Sequence, residues 1–119
     1  MDHAAHVERA KQAFKAFVAL RKLKLREDAF SRGFYALLHL AFALLIKQGR
    51  PLPKTYTGMI GTLWSLREDL GLSTKLVQSL SRMQALREGG DYEAVPLIQE
   101  SDLDNIVQTF KELSALVNQ

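Results

Sequence analysis

The residues best suited to chemistry lie in one short stretch, Arg87-Glu88-Gly89-Gly90-Asp91-Tyr92. An arginine closes a helix there, two glycines let the chain reverse tightly, and an aspartate and a tyrosine follow. A cation, a carboxylate and a phenol gathered at one corner can hold a phosphate or a partner's side chain. The same residues also fit a plainer arrangement, in which Arg87 and Asp91 pair only to close the helix end. The three histidines offer less. His3 and His6, at i,i+3 spacing, share a helix face but sit at a terminus. His39 lies in the most apolar segment, where a histidine is more often a hydrogen-bonded core residue than a ligand or base. There is no cysteine, which excludes disulfides and thiolate metal sites. No metal and no cofactor are expected. Phosphate-cradling glycine loops, HExxH and GxSxG are missing from the sequence.

Five helices can frame these residues. The first runs from Ala4 to about Leu23, with apolar residues at Val7, Ala10, Phe14, Phe17 and Val18. A second starts near Glu27–Asp28 and stops at Gly49, with Pro51 and Pro53 beyond it. Phe30, Phe34, Leu37, Leu38, Ala41 and Leu45 form one of its faces; Tyr35, Phe42 and Ile46 lie opposite. A helix apolar on both sides must be covered on both sides, by its own bundle and by a second subunit if the bundle does not suffice. Thr55 can cap a third helix ending near Gly71, and Ser73 a fourth that stops at Gly89–Gly90. Ser101 with Asp104 resembles a capping box opening the last helix, through Ile106, Phe110 and Leu113. No segment alternates with period two, so no sheet is expected. Short connections favour antiparallel neighbours in an up-and-down bundle.

At 119 residues, 47% hydrophobic and 24% charged, the chain reads as a single domain over 1–119 with ordinary globular composition. The net charge of +3 is uneven: residues 1–26 carry seven Lys/Arg against Asp2 and Glu8, and the remainder is slightly acidic. The cluster Arg21, Lys22, Lys24, Arg26 can attract phosphates. Equally, it can be a solvated helix end whose cations complement the helix dipole. The apolar run Gly33 to Ile46 is too short to span a bilayer, and charged residues punctuate the first twenty. A cytoplasmic protein without a membrane partner is the expectation.

Three segments resemble the HEPN family. Asp28-Ala29-Phe30-Ser31-Arg32-Gly33-Phe34-Tyr35-Ala36-Leu37 looks like its second helix. Lys54-Thr55-Tyr56-Thr57-Gly58 is similar to the Lys-Thr-His-Ser-Gly segment that starts its third. Leu86 to Tyr92 resembles its Arg-x-x-x-Asp-Tyr segment. Their order and spacing cover about residues 5–118. The resemblance implies an all-α, four- to five-helix up-and-down bundle, also described as the nucleotidyltransferase substrate-binding subunit fold, commonly a homodimer.

Many HEPN proteins are metal-independent ribonucleases or toxins with an Arg-x4-6-His motif, often encoded beside a minimal nucleotidyltransferase that acts as antitoxin. There, histidine handles protons while arginine stabilises the phosphate attacked by the RNA 2′-hydroxyl. Here the histidine position holds Tyr92, and Tyr56 replaces the histidine of the Lys-Thr segment. Tyrosine, with a reference pKa of about 10, is a poor general base at neutral pH. The resemblance therefore implies Arg87, Asp91, Tyr92, Lys54 and Tyr56 as a nucleotide- or phosphate-binding set, with Arg87 and Tyr92 as the catalytic pair if any catalysis persists. The leading expectation is a non-catalytic partner subunit of a minimal nucleotidyltransferase in a toxin–antitoxin-like pair, binding nucleotide or RNA, with Tyr92 a candidate for modification. The alternatives are a divergent endoribonuclease and a purely structural interaction module.

Overall fold

A computed structural model describes residues 1–90 and 98–118. Five helices make up the fold: α1 His3–Lys22, α2 Arg26–Lys47, α3 Tyr56–Leu70, α4 Thr74–Gly90 and α5 Glu100–Val117. No strand occurs among the described residues.

The helix starts follow from local hydrogen bonding. Asp2 caps α1 by accepting from the Ala5 amide at 2.8 Å, and Thr55 caps α3 by accepting from Gly58 at 2.9 Å. Ser73 does the same for Leu76 at 3.0 Å. Each satisfies an amide that the first helical turn leaves without a backbone partner. The cap of α5 differs from the expected Ser101–Asp104 pair. Gln99 is the N-cap, and its amide donates to Asp102 Oδ2 at 2.9 Å. Asp102 is buried and also meets Arg82 of α4 at 3.6 Å, so packing against α4 moves the helix start two residues earlier. The fourth helix includes Gly89 and Gly90 rather than stopping at them.

α2 is the axis of the bundle. Thirteen of its 22 residues are buried, distributed around the whole circumference. By length and composition α2 could cross a membrane, but most of it is enclosed by the other helices, as a core helix is. Gly33 explains how closely they approach. A Cβ there would lie 2.8 Å from both Ile106 Cγ2 of α5 and Phe17 Cδ1 of α1. The absent side chain lets three helices meet, and Phe14 stacks on Phe110 beside it with ring centroids 4.0 Å apart. The second apolar face of α2, for which a partner subunit was one possible cover, is met in part within the chain: His6 of α1 stacks on Phe42 at 5.0 Å.

The contacts also set the direction of each helix. α1 is antiparallel to α2, since His6 meets His39 while Phe17 meets Gly33. α5 runs parallel to α2, from the Arg26–Glu100 pair at one end to Lys47 Nζ donating to the Leu116 carbonyl at the other. The connection from α2 to α3 departs from the expected reversal. Arg87 lies over both Phe34 and Tyr56, which places the start of α3 beside the first half of α2. Arg50 pairs with Asp69 at 3.1 Å, placing the end of α3 beside the end of α2. The two helices are therefore parallel. The segment 48–55, with Pro51 and Pro53 barring helix, carries the chain back along the bundle.

Candidate functional site

The return of segment 48–55 brings three distant residues together. Arg87, in the last turns of α4, holds its guanidinium carbon 5.2 Å from the centre of the Tyr56 ring and 5.9 Å from that of Phe34. Phe34 is completely buried on α2, while Tyr56 is the exposed first residue of α3. A guanidinium facing aromatic rings at this range is attracted by their quadrupoles, and its planar fork stays oriented. Among the described residues no carboxylate pairs with it.

Thr55 and Gly58 set the position of Tyr56. Thr55 Oγ1 would lie 2.9 Å from a Cβ on Gly58, so glycine lets the cap close tightly. The Lys-Thr-Tyr-Thr-Gly segment is thus a helix-start device that delivers Tyr56 to the arginine. Lys54 stands exposed just ahead of it and makes no bond to this corner among the described residues. Asp91 and Tyr92 lie outside the described residues. Of the five expected site residues the structure therefore joins Arg87 and Tyr56. It adds Phe34, which the helical pattern alone had assigned simply to the core. Beside the corner, Thr57, Ile60, Gly61 and Trp64 of α3 face Ser81, Gln84, Ala85 and Glu88 of α4 across a groove of about 480 Å³.

The histidines lie elsewhere. His6 Nδ1 and His39 Nδ1 share a hydrogen bond of 2.8 Å between α1 and α2, and both side chains are buried. Tyr35 meets the His39 ring edge-on at 4.4 Å. One imidazole must donate and the other accept, so the bond requires at least one neutral ring. Burial, then the neighbouring His6 and Arg9, hold His39 down to about 4. Burial also lowers His6. No histidine contacts Arg87 among the described residues. Among those residues no group of three potential metal ligands converges either.

The basic cluster at the α1–α2 turn is partly neutralised. Arg21 donates to Asp104 at 2.6 Å and to Glu100 at 2.9 Å, and Arg26 meets Glu100 at 3.4 Å. Its two arginines are thus fastened to α5, leaving Lys22 and Lys24 exposed.

The bundle presents Arg87 near the end of its fourth helix, beside the Thr55-capped start of its third. The HEPN domain model matches residues 3–119, and the chain belongs to the HEPN family. It is similar to a UPF0332 protein of Archaeoglobus fulgidus, with 35% identity over 96 residues, covering 81% of this chain and 74% of that protein.

Proposed function

We propose that this HEPN protein is a non-catalytic subunit that binds nucleotide or RNA phosphate at Arg87, as a homodimer paired with a separate minimal nucleotidyltransferase. The observation that carries the binding role is the guanidinium of Arg87, seated on Phe34 and Tyr56 with no carboxylate among the described residues to neutralise it. Ribonuclease chemistry needs a second group to move protons. The histidines that could do so are bonded to each other or placed on α1, away from Arg87. The homodimer and the nucleotidyltransferase partner follow from the family resemblance.

Labelled RNA and mononucleotides titrated against the protein in EDTA test this directly. Native protein binds without cleaving. Arg87→Ala weakens binding by roughly tenfold or more, since a charge-assisted hydrogen bond contributes about 1.5–3 kcal/mol. Cleavage by the native protein that disappears in Arg87→Ala would replace this proposal with the endoribonuclease. Equal binding by both proteins would leave only an interaction module. Light scattering at micromolar concentration tests the dimer, which a monodisperse monomer would remove.

A further inference from the structure

A second set of arginines lies on the opposite side of α2. At 3.6 residues per turn, Arg32 and Phe34 project to nearly opposite faces. Arg32 shares a small cavity of about 110 Å³ with Arg9, Gln12 and Ala13 of α1 and with Tyr35 of α2. The Arg32 guanidinium is held 5.7 Å from the centre of the Tyr35 ring. Most of the chain's other arginines have carboxylate partners: Arg21, Arg26, Arg50 and Arg82 all form ion pairs. Arg9 and Arg32 have none among the described residues. Gln12 of the cavity lining donates to the Glu8 carboxylate at 3.5 Å.

Two like charges directed into one cavity repel, and an anion between them removes that repulsion while accepting up to several N–H donors. The cavity is far larger than the roughly 10–15 Å³ that one water requires. Behind it lies the His6–His39 pair, whose environment is set in part by the charge of Arg9.

We propose that Arg9, Gln12, Arg32 and Tyr35 form a phosphate-binding site on the α1–α2 face, separate from the Arg87 corner. Arg9 and Arg32 supply the charge and forked donors, Gln12 and the Tyr35 hydroxyl are its neutral polar groups, and the Tyr35 ring lies under the Arg32 guanidinium. A tetrahedral oxyanion matches this donor set, and two sources carry one: the terminal phosphate of a mononucleotide, or a phosphodiester in single-stranded nucleic acid. The site does not depend on the proposed role of Arg87.

The test titrates the native protein, Arg9→Gln/Arg32→Gln and Arg87→Ala with inorganic phosphate, adenosine monophosphate and a short oligouridylate with hydroxyl ends. Affinity is read by calorimetry, and location by the NMR ring signals of Tyr35 and His39. Both arginines are exposed, so the double variant keeps the native helical circular dichroism and melting temperature. The expected result is that at least one probe shifts the Tyr35 and His39 signals. Its affinity for this site falls at least tenfold in the double variant and is unchanged in Arg87→Ala. Binding of phosphate and the mononucleotide alone assigns a terminal phosphate; binding of the oligomer assigns the nucleic-acid backbone. The proposal is overturned if no probe moves those signals at millimolar concentration, or if the double variant binds as the native protein does. Loss confined to Arg87→Ala also overturns it, while leaving the Arg87 reading standing.

Discussion

The two sides of α2 are built differently. Toward α1 and α5 the packing is so close that Gly33 has no space for a methyl group, Phe14 stacks on Phe110, and two histidines are sealed in a mutual hydrogen bond. Toward α3 and α4 the helices stand further apart. A groove separates them, Gly61 has nothing within 4 Å of where its Cβ would be, and Arg87 rests on ring faces instead of a carboxylate. Stability and ligand access make opposite demands on packing. Here the dense side lies on one flank of the central helix and the open side on the other, with the small Arg9–Arg32 cavity at the surface of the dense one.

Acid should affect the dense side most. The unfolded chain takes up a proton on His39 near the ordinary pKa of 6.5, whereas the folded protein resists until about 4. The folded state therefore binds fewer protons across that interval. Stability is steady above about pH 6.5, declines as pH falls toward 4, and loses nothing more from this group below that. The loss is at most about 3 kcal/mol, at about 1.36 kcal/mol per pKa unit between 6.5 and about 4. Urea unfolding of the native protein and His39→Leu across this range checks it: a decline as steep in the variant would show that the histidine pair is not its cause.

Glycine substitutions sharpen the comparison further. Gly33→Ala gains about 1 kcal/mol of helix propensity but drives a methyl group against Ile106 and Phe17. With overpacking costing about 1–3 kcal/mol, the variant should melt several degrees lower. Gly61→Ala makes the same chemical change in α3 without a clash, so it should stabilise by up to about 1 kcal/mol. Thermal melts of both variants with shifts of the same sign would contradict the division into a dense and an open side.

Much of the frame is visible in the sequence because it is local. Thr55 and Ser73 cap where a side-chain oxygen precedes a free amide by three residues, and Gly49 ends α2 in a left-handed turn. The central role of α2 follows from apolar residues on all its faces. What the sequence does not display is pairing across distance. His6 and His39 stand 33 positions apart, and nothing local marks them as partners. Arg21 reads as a helix-dipole cation until α5 brings Glu100 and Asp104 to it. At the Arg87 corner, the family motif identifies Arg87 and Tyr56. Phe34 fits the core pattern so well that only the parallel placement of α3 reveals its second task. The α5 start is misplaced by two residues because Ser101 and Asp104 imitate a capping box, whereas the buried Asp102 decides the register.

The parallel seating of α5 against α2 has a consequence for synthesis. Chain leaving the ribosome exposes α2, the most apolar helix, well before residues 100–117 exist to cover it. The side of Gly33 that Ile106 closes stays bare during that interval, while Phe17 of α1 covers only the neighbouring side. For that time the nascent chain displays a helix with membrane-like hydropathy, a surface that chaperones bind and that aggregates when unattended. Completion of this core is thus timed by the synthesis of α5, and a ribosome stalled before α5 would hold a chain that quality control can recognise as unfinished.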